Sequence, residues 1–166
     1  MPKSSKPRKK YKPKSRLVNP MAWVMEGFSP ISTMSEYFIN LKTVNHSAME
    51  SLVKGRCNPD EFNRLLAVHN MANVLVSMGY GSEYDDVLDD SFAALTALGT
   101  RAEEKGRFVG RAQEITALNT LLELHDAQLA IITIEIMDKA LKVATDKKLS
   151  HRMFHTSFRY RTGELS

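Results

Sequence analysis

Three histidines are the side chains with which this sequence could hold a metal ion. His46, His69 and His125 each lie on or beside the apolar stripe of a predicted helix. Their neutral imidazoles would meet, and could bind a transition metal, if those stripes faced one core. None of the three has a second histidine four residues away, the spacing typical of a metal site on one helix. We therefore predict separate structural histidines and no cofactor. The expected hydrogen-bond partners are the backbone and the amides of Asn45, Asn70, Asn119 and Gln128.

Cys57 is the only cysteine and the candidate nucleophile. It precedes a predicted helix N-terminus, where the helix dipole lowers the pKa of a thiol. A nucleophile also needs a positioned base, and His46 is the only nearby histidine. The glycines match neither a phosphate loop nor a dinucleotide-binding motif, so we predict that the protein is not an enzyme. A single cysteine excludes an internal disulfide and fits a reducing cytoplasm.

Charge is distributed unevenly along the chain, whose formal net charge is +4. Residues 1–16 contain eight Lys or Arg and no acid, and residues 147–166 contain five bases and one acid. Residues 17–146 contain ten bases and eighteen acids. Two basic ends therefore flank an acidic body. The net charge of the whole chain describes neither part, so we consider the possible partners of each segment separately.

The basic N-terminal arm, residues 1–18, is predicted to be disordered, because its prolines and mutually repelling lysines cannot bury apolar surface. We interpret it as a segment that binds the phosphates of DNA or RNA, with a tyrosine that stacks on a base. The predicted contacts are Lys3, Lys6, Arg8, Lys9, Lys10, Tyr11, Lys12, Lys14 and Arg16. The alternatives are a solubilising tail, or an arm that folds back on the acidic body.

The C-terminal tail, residues 150–166, interleaves basic and aromatic side chains. The bases are Arg152, Arg159 and Arg161, and the aromatic residues are Phe154, Phe158 and Tyr160. The tail could bind single-stranded nucleic acid by stacking and charge, which makes the three arginines candidate contacts. We favour an arrangement in which the aromatic rings dock on the body while the arginines face water, because exposed rings are costly.

The body, residues 19–149, is predicted to be an all-α helical bundle of about five main helices. Its apolar residues recur every three or four positions, and no alternation is long enough for a sheet. The best-defined helix start is Asn58-Pro-Asp-Glu61, which combines a cap, a proline at the first position and acids facing the helix dipole. Further starts are predicted at Thr33, Asn45 and Ser82, and stops at Gly55, Gly79 and Gly106.

A long helix over residues 113–145 is predicted to lie in the middle of the bundle or at a dimer interface. Its apolar stripe advances by steps of three and four, and no Gly or Pro interrupts it. The stripe consists of Ile115, Leu118, Leu122, His125, Leu129, Ile132 and Ile136. Shorter neighbouring helices would leave one end of it uncovered, so we predict a homodimer that pairs through this helix.

Four stretches carry a resemblance to known proteins: LKTVNHSAMESLVKG at 41–55, LAVHNMANVL at 66–75, KYKPK at 10–14 and MAWV at 21–24. They resemble small uncharacterised proteins encoded by bacteriophages and mobile elements of proteobacteria. The resemblance implies a phage or plasmid role in the cytoplasm of a bacterial host cell. It implies no activity and no site residues.

These patterns together predict a non-enzymatic accessory protein that contacts nucleic acid through its basic termini. The alternative is a helical protein-interaction module that binds a host or phage protein without nucleic acid. No membrane partner is predicted, because no apolar run approaches the roughly 20 residues that a transmembrane helix needs.

Overall fold

The computed structural model describes residues 35–145, 153–154 and 158–159, and this part of the chain is all-α. The helices are α1 (Ser35–Val53), α2 (Pro59–Ser77), α3 (Asp85–Lys105), α4 (Ala112–Ile131) and α5 (Ile134–Thr145). A short 3₁₀ turn over Ser82–Tyr84 precedes α3. The prediction of about five helices without a sheet is confirmed for these residues. The basic arm and most of the C-terminal tail lie outside them. Within the same ranges, no helix combines the length and the apolar composition of a membrane span.

Helix α2 lies at the centre of the bundle, because it packs against each of the other four helices. Phe62, Leu65, Ala72 and Leu75, which lie on more than one side of the helix, are all buried. A helix that is apolar on more than one side requires neighbours on more than one side. The prediction that a long helix near the C-terminus would lie in the middle of the bundle or at a dimer interface is not confirmed, since α2 is the helix that packs against all four others.

The predicted start of α2 is confirmed in atomic detail. The Oδ1 of Asn58 accepts a hydrogen bond from the backbone N–H of Glu61 at 2.9 Å, and the Glu61 carboxylate accepts the Asn58 N–H at 2.9 Å. This reciprocal capping box satisfies two backbone donors that the first turn would leave unpaired. The second carboxylate oxygen of Glu61 accepts the Ser51 hydroxyl at 2.7 Å, which ties the end of α1 to the start of α2.

The first two predicted helices are one helix, α1, so the prediction of a helix cap at Asn45 is wrong. Asn45 lies inside α1 and is 1% exposed, on the same face as the buried Ala48, Met49 and Leu52. No Gly or Pro stands nearby to end the helix, and burial of this apolar face outweighs the capping preference of Asn. The Asn45 side-chain nitrogen has no hydrogen-bond partner among the described residues.

The predicted long helix is interrupted, so residues 113–145 form two helices rather than one. Ile132 has extended backbone angles, φ −84° and ψ 157°, and α5 begins two residues later. The break falls in four consecutive β-branched residues, 131–134, whose side chains lower helix propensity. The Thr133 hydroxyl oxygen accepts the Ile136 N–H at 3.4 Å, as a helix cap does.

The middle of the stripe that we expected to pair with a second copy is covered within the chain. Leu118, Leu122, Leu129 and Ile132 are at most 1% exposed, buried by the other helices of the same bundle. The predicted homodimer was based on an uncovered end of this stripe. Its two end residues, Ile115 and Ile136, are half-buried, and the homodimer stays a prediction. Pairing through the stripe would require the bundle to open.

A buried ion pair fixes the connector between α3 and α4. The guanidinium of Arg101 donates to both carboxylate oxygens of Glu114, at 2.9 and 2.6 Å, and also to the backbone carbonyl of Val109. The Arg111 N–H donates to the same carboxylate at 2.8 Å. The hydrogen bonds from Arg101 are the main reason why the pKa of Glu114 lies below its usual value. One guanidinium thereby holds both ends of the connector.

We expect Glu114→Gln to lower the free energy of unfolding by about 2–3 kcal/mol at neutral pH, because it leaves a buried guanidinium without its counter-ion. The control is Glu135→Gln, which removes the exposed pair between Glu135 and Lys139 on α5. That change should cost less than about 0.5 kcal/mol. Urea unfolding of both variants measures the difference, and equal losses would contradict a structural role for the buried pair.

Candidate functional site: a clamped C-terminal strap at a basic end

The three candidate histidines bond to three different groups and do not converge. The Nε2 of His46 donates to Asp126 at 2.9 Å, and the Nδ1 of His69 lies 2.9 Å from the Ser91 hydroxyl. His125 donates to the Gln128 side-chain oxygen across a long 3.5 Å contact, and Gln128 was among the expected partners. Among the described residues, no three His, Cys, Asp or Glu side chains are close enough to hold a metal ion.

Cys57 has the environment of a structural thiol. It is buried, its Sγ donates to the Asn58 carbonyl at 3.5 Å, and burial raises the pKa of the thiol to about 12. The negative charge of Glu61 makes a smaller contribution to the same rise in pKa. The expectation that the helix N-terminus would lower this pKa is therefore wrong, because desolvation opposes the thiolate more than the helix dipole favours it.

Two asparagines of α2 hold the backbone of the C-terminal strap, which we define as Met153, Phe154, Phe158 and Arg159. Asn70 donates to the Phe154 carbonyl at 2.7 Å and accepts the Phe154 N–H at 2.9 Å. Asn63 donates to the Phe158 carbonyl at 3.1 Å and accepts the Phe158 N–H at 2.6 Å. Each side-chain amide thus pairs with both backbone groups of one strap residue, as a neighbouring β-strand would.

The two phenylalanines of the strap each contact a set of aromatic rings. Phe154 packs on His69 and Phe92, with ring centroids 5.4 and 4.8 Å away. Phe158 packs edge-on against Phe62 at 5.5 Å and against Phe108 at 4.9 Å. The favoured prediction, in which tail aromatics dock on the body, is confirmed for Phe154 and Phe158. These rings are therefore not available to stack on bases while the strap is docked.

Phe158 lies where three segments of the chain meet. Phe62 at the start of α2 stacks on Phe108 of the α3–α4 connector at 4.5 Å, and Phe158 closes the cluster. A Cβ atom added at Gly110 of the connector would come within 3.7 Å of Leu52 near the end of α1. The α1–α2 turn, the connector and the strap therefore share one end of the bundle.

Exposed bases collect at this end, which we call the basic end. Its members are Lys54, Arg56, Lys105, Arg107, Arg111 and Arg159, and all of them are exposed. The exposed acids nearby are Asp60, Glu103 and Glu104, together with Glu50, which pairs with Lys54. Only Arg159 of this group was predicted as a site residue. The others come from turns that are distant in sequence, and only the fold brings them together.

Most of the predicted nucleic-acid contacts fall outside the described residues. These are the nine arm residues from Lys3 to Arg16, and also Arg152 and Arg161. Arg159 is described and exposed, directly after the docked Phe158. The two clamping asparagines were not predicted to hold the tail. Their seven-residue spacing puts them on one face of a helix, but this pattern alone does not indicate a peptide partner.

Because His125 is buried, we expect the protein to lose stability as the pH falls. The side chain is 3% exposed, and desolvation lowers its pKa to about 4, against 6.5 for the free side chain. A lowered histidine pKa means that the unfolded chain takes up the proton first, so stability falls as the pH drops below 6.5. The expected loss between pH 7.5 and pH 5 is roughly 2 kcal/mol from this residue.

We expect His125→Leu to remove this part of the pH dependence, and to be tolerated or stabilising at neutral pH, because it takes a polar group out of the core. Urea unfolding at pH 7.5 and pH 5 measures the change for the variant and the wild type. The same acid sensitivity in both proteins would show that the proton is taken up elsewhere.

Comparison with known proteins gave no relatives. The chain matches no protein-family model, and no curated protein or solved structure shows significant similarity to it. The function must therefore be argued from the chemistry of the site.

Proposed function

We propose that the protein is a non-enzymatic accessory protein of a phage or mobile element that binds DNA or RNA through its basic end and basic termini. The observation that carries this proposal is the position of the docked strap. Phe158 is fixed in the aromatic cluster of the basic end, and Arg159, the next residue along the chain, is exposed. Lys and Arg grouped in this way are the usual means of binding a polyphosphate.

The positions of the acidic residues favour binding of a nucleic acid at the basic end. No Lys or Arg occurs between Arg64 and Arg101, and this stretch contains all five acids of the 3₁₀ turn and the start of α3. These acids are Glu83, Asp85, Asp86, Asp89 and Asp90. They lie at the end of α2 opposite the basic end, where a polyanion would be repelled. A nucleic acid would therefore be drawn to the basic end.

The chemistry at this end favours phosphate contacts over base contacts. Phe154 and Phe158 face the helices, so stacking would fall to Tyr11 and Tyr160, which lie outside the described residues. Exposed arginines and lysines on turns neutralise phosphates without distinguishing base sequence. We therefore propose binding that depends strongly on salt and weakly on sequence.

Replacing Arg56, Arg107 and Arg159 together by alanine should weaken oligonucleotide binding at low salt by tenfold or more. It should also reduce the slope of log affinity against log salt by about 2–3, because three phosphate contacts are lost. The control is Lys139→Ala/Lys142→Ala, which removes two exposed bases of α5. Fluorescence anisotropy with a labelled oligonucleotide measures both variants, and equal effects would contradict a role for the basic end.

Deleting residues 1–16 should weaken the same binding and flatten its salt dependence, because eight of the basic side chains are removed. The melting temperature should stay nearly unchanged if the arm makes few folded contacts. Circular dichroism of the shortened chain provides this measurement. A large fall in melting temperature would show that the arm belongs to the fold.

The alternative function, a helical module that binds a host or phage protein, is supported by a different observation. Asn63 and Asn70 form a backbone clamp on the surface of α2, and such a clamp suits a peptide ligand. Co-purification of the tagged protein from its host, with and without nuclease, separates the two functions. A protein partner that survives nuclease treatment would favour the alternative.

A further inference from the structure

The clamp on α2 recognises the backbone of its ligand. All four hydrogen bonds from Asn63 and Asn70 go to main-chain N–H and C=O groups of Phe154 and Phe158. The two asparagines are seven residues apart on the helix, so they stand roughly 10 Å apart along one face. Main-chain hydrogen bonds of this kind provide affinity for a peptide of any sequence.

Side-chain selectivity comes from the aromatic contacts beside each asparagine. Beside Asn70, the ring of Phe154 packs against His69 and Phe92. Beside Asn63, the ring of Phe158 packs against Phe62 and Phe108, and Gly99 of α3 faces it. A Cβ atom at Gly99 would lie 3.8 Å from Phe158. The groove between α2 and α3 therefore selects two aromatic residues four positions apart.

We propose that this groove is an exchangeable peptide-binding site, and that its partner is the C-terminal strap of a second copy of the chain. The same strap on another molecule offers identical backbone groups and identical rings, so it satisfies every contact that the intramolecular strap makes. Two copies that exchange straps form a closed, symmetric dimer. This route to a homodimer leaves the buried stripe of α4 intact.

The linkage between strap and bundle determines which form is populated. The strap is joined to the end of α5 at Thr145 through residues 146–152. A short tether gives the intramolecular strap an effective concentration on the order of 1 mM, so this form dominates in dilute solution. Binding of a strap to the groove of the other molecule becomes dominant under two conditions. Each chain must bind its own strap weakly, and the strap of one chain must still make every contact with the groove of the other. These conditions can be created with two complementary variants.

The first variant, Phe154→Ala/Phe158→Ala, keeps the groove and loses the rings of its own strap. The second, Asn63→Ala/Asn70→Ala, keeps the strap and loses the clamp. Each should be a monomer alone by light scattering, and an equimolar mixture should give a species with the mass of two chains. A chain that carries all four substitutions is the control. It has neither a complete strap nor a complete clamp, so it should form no two-chain species when mixed with either variant.

Circular dichroism on each variant alone establishes that it is folded. If Asn63→Ala/Asn70→Ala does not fold, Gly99→Leu replaces it, because the larger side chain would extend toward Phe158 and obstruct the groove. Gly99→Ala is its matched control, since the added Cβ makes only ordinary contacts and should leave the strap in place.

A labelled peptide of residues 151–161 gives a second measurement that does not depend on dimer formation. We expect it to bind the Phe154→Ala/Phe158→Ala protein at least tenfold more tightly than the wild type, whose groove is filled. A peptide with alanine at both phenylalanine positions should not bind.

The proposal is overturned if folded complementary variants stay monomeric when mixed at concentrations up to about 1 mM, the effective concentration of a short tether. It is also overturned if the peptide binds the emptied groove no better than the wild type. Neither measurement contains nucleic acid, so their outcome is independent of the proposed nucleic-acid binding.

Discussion

The bundle depends on burying a central helix that is not wholly apolar. Helix α2 packs against all of the other helices, and it carries His69, Asn63 and Asn70 among its leucines and valines. A polar group that leaves water needs a hydrogen-bond partner, because an unpaired one costs free energy comparable to a lost hydrogen bond. Several neighbours of α2 therefore provide a specific partner as well as apolar surface. Ser91 of α3 pairs with His69, and the strap pairs with the two asparagines.

Helix α4 is positioned by the same requirement. The side chain of Gln128 is buried and donates to the backbone carbonyls of Ala72 in α2 and Tyr80 in the turn after it, at 3.1 and 2.9 Å. Its oxygen faces His125, so one amide satisfies groups in three places. At the other end of α4, Glu114 is held by Arg101 of α3. These two polar contacts fix both ends of α4, between which its leucines are buried.

The strap links the fold to the proposed functions. The contacts that satisfy Asn63 and Asn70 also place Arg159 at the basic end, so one docking event completes the packing of α2 and adds a base to the surface. A strap held by main-chain hydrogen bonds and two rings can be replaced by another of the same kind. For this reason the nucleic-acid surface and the exchangeable groove are proposals about the same segment, resting on different side chains.

The sequence alone determined the helical class and the start of α2, and it favoured the docking of the tail phenylalanines. These follow from local properties: the three- and four-residue apolar period, the Asn-Pro-Asp-Glu cap and the cost of exposing aromatic rings. The tertiary structure decided that α1 continues through Asn45, because burial of its apolar face outweighs the capping preference of Asn. It also decided that the apolar stripe is divided between two helices at Ile132, where β-branched residues weaken the helix. It also raised the pKa of Cys57, through desolvation that no local pattern reports. The clamp and the basic end required the fold, because their residues come from segments far apart in the chain and only packing makes them neighbours.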